Sequence, residues 1–291
     1  MGKALAESFP AARRVFEEAD DALGFSLSQL CFEGPAEQLK LTENTQPALV
    51  AVSAAAFAVL AEHGIMPEYV AGHSLGEYSA LVAAGSLKFA DALRLVRKRG
   101  QYMQEAVPAG VGAMAALLRL PEGQLNTILA QAAQGEVVSA ANLNAPDQVV
   151  IAGHSGAVNR AMELAKAAGA KRAVQLPVSA PFHCALMAPA QLRLRADLDA
   201  IEFRDLSYTL VNNWQAAEVR LGADAREGLY QQVPNPVRWV DSIQRLAGLG
   251  VTRFVEVGAG AVLTGLLRSI DPALTGLRFG EPADLPKLTA A

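Results

Sequence analysis

Gly72-His73-Ser74-Leu75-Gly76 sets a hydroxyl between two glycines, after the apolar Tyr69-Val70-Ala71 and before a stretch, Glu77 to Ala84, of helical character. A Gly-x-Ser-x-Gly between strand and helix is a nucleophile elbow. Residues without a Cβ on both sides allow the sharp turn, which pushes the serine hydroxyl out of the backbone. Ser74 is therefore the candidate nucleophile. The following helix aims its first free N–H groups, that of Leu75 among them, at negative charge developing beside Ser74. The alternative is a tight turn carrying a solvated serine.

A serine nucleophile needs a base, and four histidines compete for the role. His73 adjoins Ser74, where neighbouring side chains diverge. His63 precedes a glycine at a helix end, and His154 lies at an outer turn. His183 follows Val178-Ser179-Ala180-Pro181-Phe182, where two lobes of the chain meet, and such junctions commonly hold clefts. On these grounds it is either the base or a structural histidine. No acidic third member stands out near it.

Arg99 is the other informative residue. With Phe89 at zero on a wheel of about 100° per residue, the helix from Phe89 to Val107 puts Leu93, Val96, Gly100 and Met103 on one apolar arc. Arg94, Arg97 and Lys98 fall outside that arc, and Arg99 falls inside it. A buried guanidinium keeps its proton and needs an anionic partner. It therefore pairs with an internal carboxylate, snorkels to the edge of the stripe, or clamps a substrate carboxylate.

The elements that must position these groups read as α/β. Helices are expected over Met1 to Leu23, Pro35 to Leu39 and Pro47 to Glu62, the last capped by Asn44 or Thr45 and started by Pro47. From Gly112 the order is strand 113–118, helix 121–134, strand 137–143, turn 144–147, strand 148–152, helix 155–168 and strand 171–178. That is βαββαβ, the ferredoxin-like arrangement. It predicts a small inserted domain, 110–180, entered near Pro108-Ala109-Gly110 and left near Ser179-Ala180-Pro181. Residues 1–109 and 181–291 then form the large α/β domain, with helices 186–201, 226–232, 240–249 and 261–270 and strands 208–212 and 253–257.

Composition narrows the function classes. The chain has 291 residues, 52% hydrophobic and 19% charged, with a net charge of −4. That is enough for a large core, and without a basic stripe nucleic acid is not an expected partner. Gly258-Ala259-Gly260 lacks the remaining glycine of a dinucleotide fingerprint and has no P-loop lysine after it. Two cysteines, Cys31 and Cys184, form neither a framework of bridges nor a metal site, and suit a reducing cytoplasm as buried thiols. The longest apolar run, Ala48 to Ala61, falls short of the roughly 20 residues of a bilayer span. A soluble, cytoplasmic monomer is expected, with no membrane partner.

The sequence resembles the malonyl-CoA:acyl carrier protein transacylases of bacterial fatty acid synthesis along nearly its whole length. The likeness is carried by Gly72-His73-Ser74-Leu75-Gly76-Glu77-Tyr78-Ser79-Ala80, Arg99-Gly100, Gln148-Val149-Val150-Ile151-Ala152-Gly153-His154, Phe182-His183-Cys184, Asn235-Pro236-Val237-Arg238-Trp239 and Glu256-Val257-Gly258-Ala259-Gly260. The resemblance implies an α/β-hydrolase-like large domain with a ferredoxin-like small one. Ser74 would take the malonyl group from coenzyme A as an ester, and the phosphopantetheine thiol of acyl carrier protein would remove it. His183 would be base and acid of a dyad, held by a backbone carbonyl near Gln232. Arg99 would bind the malonyl carboxylate, Leu75 would give an oxyanion donor, and Asn142 and Gln232 would line the pocket. No cofactor is implied beyond the coenzyme A thioester substrate.

Family members begin with a strand and a Gly-Gln-Gly-Ser-Gln loop that supplies a second oxyanion donor, whereas this chain starts where the family's first helix starts. Met1 is accordingly expected to be an internal methionine of a longer protein, with Leu75 the remaining oxyanion donor. The alternatives are a serine esterase or thioesterase using the same residues, and a truncated relative that binds carrier protein without acylating it. The carrier protein could serve fatty acid or polyketide synthesis, and the exposed pair Lys171 and Arg172 could face it.

Overall fold

The computed structural model describes residues 1–178 and 180–289. Ser179, at the expected exit from the small domain, lies outside them. The chain opens with α1 (Lys3–Ser8), α2 (Pro10–Leu23), α3 (Leu27–Glu33), α4 (Ala36–Lys40) and α5 (Thr42–Glu62). The single helix expected over Met1 to Leu23 is broken at Phe9, which is extended at φ −129°. Proline disfavours a helical residue before it, so Pro10 starts a new helix. α5 begins five residues earlier than expected, with Pro47 inside it. Asn44 and Thr45 do not cap it; their side chains donate to the carbonyls of Gln38 and Leu39.

Helix α5 is apolar on all sides and buries Val50, Val52, Ala55, Ala56 and Val59, so it forms the centre of the main core. It is long and apolar enough to cross a membrane, but it packs inside this core against α2 and the later α7. Next come β1 (Tyr69–Val70), α6 (Gly76–Ala83) and α7 (Phe89–Glu105). The approach of α5 to α7 depends on Gly100, where a Cβ would stand 2.7 Å from the carbonyl oxygen of Thr42. That contact carries Arg99, its neighbour in sequence, up against Gln46 of α5.

The βαββαβ order is realised by β2 (Gly112–Leu118), α8 (Gln124–Ala133), β3 (Val138–Ala145), β4 (Gln148–His154), α9 (Ser155–Ala167) and β5 (Arg172–Gln175). Sheet order β3-β4-β2-β5, with every pairing antiparallel, is the ferredoxin-like topology. Ala115, Leu117 and Ile151 of the sheet bury against Ile128, Val158 and Ala161 of the two helices in a separate core. β5 stops short of the expected Val178 because Pro177 has no N–H for the ladder.

The remaining elements are α10 (Ala188–Asp199), β6 (Thr209–Val211), β7 (Glu218–Val219), α11 (Gly222–Gln232), α12 (Trp239–Gly248), β8 (Arg253–Val257), α13 (Val262–Ile270), β9 (Thr275–Phe279) and α14 (Leu285–Thr289). β1 pairs parallel with β6, which pairs antiparallel with β7, and β8 pairs parallel with β9. The sequence reading missed α3, β7, β9 and α14, all between two and seven residues long. Elements so short show too few residues to reveal a period. The architecture is an α/β-hydrolase-like larger lobe carrying a ferredoxin-like one.

Candidate active site

Ser74 occupies the turn between β1 and α6 with φ +50°, the left-handed backbone of an elbow. Gly72 is indispensable to that turn, because a Cβ there would lie 1.9 Å from the backbone carbon of Gly76. A Cβ at Gly76 meets no atom within 4 Å, so the expectation that both glycines are needed holds for the first alone. Gly72→Ala should therefore cost about 1–3 kcal/mol through overpacking. Gly76→Ala should leave the melting temperature nearly unchanged, and equal destabilisation of the two variants in thermal melts would refute this account. The turn is also pinned from outside: Ser74 N–H donates to Asn213 Oδ1 at 2.7 Å, and Asn213 Nδ2 donates to the Gly72 carbonyl at 2.7 Å.

His183, buried at the junction of the two lobes, has its Nε2 2.7 Å from Ser74 Oγ. Its Nδ1 lies 3.0 Å from the backbone oxygen of Gln232. A carbonyl only accepts, so Nδ1 carries the proton and the Nε2 lone pair faces the hydroxyl. A carbonyl thus does the orienting that an acid performs in a triad. Burial, and then the charge of Arg99, push the His183 pKa down to about 3, so the imidazole is neutral at pH 7.

Arg99 is buried as its helical phase predicts. Among the described residues no carboxylate pairs with it, and it is shut off from solvent. Nη1 donates to Gln46 Oε1 at 2.8 Å, and Nη2 donates to Gln232 Oε1 at 2.9 Å and to Ser74 Oγ at 3.0 Å. Nε has no hydrogen-bond partner among the described residues. Neutral amides hold the guanidinium in place and leave its charge uncompensated by direct contact. Such an arrangement suits an anionic ligand beside the hydroxyl.

The other predicted residues divide. Gln232, the last residue of α11, is fully buried and touches Ser74, His183 and Arg99 through its side chain or carbonyl. Leu75 stands at the N-cap of α6, so its N–H belongs to the set without an intrahelical acceptor. Asn142 lies on β3, bridged to Val237, and among the described residues no hydrogen bond joins it to Ser74, His183 or Arg99. His73 turns away as expected, with Nε2 2.8 Å from Asn144 Oδ1. His154 Nδ1 accepts from the Val137 N–H, and His63 Nδ1 lies 2.8 Å from the Val59 carbonyl, both outside the site. Cys31 and Cys184 are buried free thiols, each pushed up to about 11 chiefly by burial.

Sequence reasoning missed Gln46, Asn213 and Glu77. A carboxylate in the first turn of the mostly apolar α6, beside the nucleophile, is the available signal for Glu77. Gln46 and Asn213 carry none, since their value comes from what packs against them.

This geometry can be set beside known proteins. The acyl transferase domain pattern matches residues 1–270. The malonyl CoA-acyl carrier protein transacylase of Bacillus subtilis (strain 168) is 48% identical over 283 residues, covering 97% of this chain and 89% of that protein. The chain belongs to the malonyl-CoA:acyl carrier protein transacylases. Among solved transacylases, the acyl carrier protein S-malonyltransferase of Vibrio cholerae O1 superposes with a TM-score of 0.97 at 45% identity, covering 99% of this chain and 94% of that one. A malonyl-transacylase solved in complex with its type II PKS acyl-carrier protein gives a TM-score of 0.96 at 45% identity, over 99% of this chain and 93% of that one. The transacylase fold thus accounts for both lobes.

Proposed function

We propose that this chain is an S-malonyltransferase that carries a malonyl group from coenzyme A to the phosphopantetheine thiol of an acyl carrier protein through an ester on Ser74. The observation that carries the reading is the meeting of three groups on one oxygen: His183 Nε2 at 2.7 Å and Arg99 Nη2 at 3.0 Å from Ser74 Oγ. A hydroxyl with its base makes an acyl carrier, and the adjacent buried cation selects an acyl group ending in a carboxylate.

As Ser74 Oγ attacks the thioester carbonyl, its proton passes to His183 Nε2, and the oxyanion forms against the Leu75 N–H. The intermediate collapses with loss of the C–S bond, and the departing coenzyme A sulfur takes the proton from His183. The second half runs in reverse, with the carrier protein's thiol giving its proton to His183 as its sulfur displaces Ser74 Oγ. The malonyl carboxylate pairs with Arg99 and draws Nη2 off the hydroxyl. It also offsets the positive field that depresses His183, so the right substrate makes the base stronger. Asn142 and Gln232 border the acyl group, and Gln232 holds both His183 and Arg99. We take residues 1–109 and 181–291 as one domain and 110–180 as the other, with the reaction in the crevice between them, in the cytoplasm.

Incubation with malonyl-CoA should leave a malonyl adduct on the Ser74 peptide, detected by mass spectrometry and absent from Ser74→Ala. Addition of carrier protein bearing phosphopantetheine should clear the adduct and malonylate the carrier. Absence of an adduct would overturn the reading. Loss of the ester to water as fast as to the carrier would make the chain an esterase.

A further inference from the structure

Glu77 has no part in the steps above, yet it is completely buried three residues beyond Ser74, in the first turn of α6. A buried carboxylate is costly unless something compensates for lost water. Its Oε2 accepts from Gln232 Nε2 at 2.9 Å and from the Asn213 N–H at 3.0 Å, whereas Oε1 has no partner among the described residues. A single oxygen therefore fastens two distant segments to the elbow helix.

Each segment holds part of the site. Asn213 Oδ1 takes the N–H of Ser74 and fixes the elbow from behind. Gln232 orients His183 through its carbonyl, supports Arg99 through Oε1 and reaches the Ser74 carbonyl through Nε2. We propose that Glu77 is a positioning residue of the transfer reaction: its Oε2 ties Gln232 and Asn213 to α6 and so keeps Ser74, His183 and Arg99 in register. What the site requires of Glu77 is an acceptor at one point, in place of a negative charge. Burial pushes its carboxyl pKa up to about 7 against the pull of Gln232, Asn213 and Arg99, so a neutral acceptor is compatible with the site.

The proposal rests on the malonyl transfer reading, and its test separates the two. Ser74 labelling by a fluorophosphonate, in which Oγ displaces fluoride from phosphorus and loses its proton to His183, reads the nucleophile with no malonyl group involved. Glu77→Gln keeps an oxygen at the Oε2 position and removes the charge. Glu77→Asp keeps the charge and withdraws the oxygen by about 1.5 Å, one carbon–carbon bond. Misplacement of about 1 Å in a catalytic constellation can cost about 10²-fold. Glu77→Asp should therefore be labelled, and should transfer malonyl, about 10²-fold more slowly than wild type. Glu77→Gln should be the conservative rescue, slowed less than about fivefold because the acceptor stays in place. The final labelled fraction counts folded molecules, so rates are compared per folded chain. Should Glu77→Asp not fold, Glu77→Met, which fills the space without an acceptor, takes its place with the same expected loss. Labelling of the short or apolar variant at the wild-type rate, or a Glu77→Gln slower than Glu77→Asp, would overturn the proposal. Should wild type be labelled yet form no malonyl ester, the substrate reading fails while the order of the variants still decides the role of Glu77.

Discussion

Replacing His183 with alanine is expected to slow malonyl ester formation on Ser74 by about 10³-fold, within the usual range for loss of a general base. Among the described residues no other side chain at the hydroxyl then accepts its proton, because Arg99 beside it only donates. Single-turnover mixing with malonyl-CoA, quenched and read by mass spectrometry, measures the effect; a loss below about tenfold would remove His183 from the proton path. The same variant has a stability signature. In the folded protein His183 resists protonation down to about pH 3, whereas an exposed imidazole binds a proton below about pH 6.5. The unfolded chain thus binds more protons in that interval, and the stabilising contribution of a neutral His183, complete above pH 6.5, drains away as pH falls toward 3. Glu77 acts oppositely, because its carboxyl is pushed up to about 7 from 4.5: its contribution is complete below pH 4.5 and is lost as pH rises through 7. His183→Ala removes the first effect and leaves the second. Its melting temperature should therefore gain on that of wild type as pH drops from about 6.5 to about 4.5. A pH-independent difference would refute this linkage.

Arg99→Ala is expected to lower kcat/KM for malonyl-CoA by about 10²–10³-fold, the scale of removing one partner of a buried charge pair. Acetyl transfer should be retained or rise. An acetyl group offers no carboxylate, so in wild type it leaves the buried guanidinium unmatched and still resting on Ser74 Oγ, 3.0 Å away. Removing Arg99 relieves both burdens, together with the positive field that depresses His183. The malonyl-to-acetyl ratio of kcat/KM, measured on one preparation, checks this. An unchanged ratio would take Arg99 out of acyl selection. Loss of both activities in parallel would mean that the guanidinium serves the fold alone, packed as it is 5.4 Å over the Tyr78 ring.

The three central groups were legible to different degrees. Ser74 was announced by its glycines and flanking elements, and its positive φ bears out the elbow. Arg99 stood out because helical phase is a local property, and α7 runs as expected from Phe89. What Arg99 touches was not legible: two amides, from α5 and α11, occupy the places where a carboxylate was one expectation. His183 was one histidine among four until family resemblance favoured it, since no local pattern marks a residue whose partner is 109 positions away.

The start of α5 departs from the expectation because Asn44 and Thr45 take partners outside their own helix. The order βαββαβ, the elbow and the inward-facing arginine were determined by the sequence alone, because period, glycine spacing and helical phase act over a few residues. Tertiary structure alone decided that Gln232 would orient the imidazole, that Gln46 would hold the guanidinium, and that Glu77 would fasten Asn213 and Gln232 to the elbow. Each of those contacts joins residues at least 49 positions apart, all within the larger lobe, and the packing of its helices sets which polar atoms meet once water is excluded.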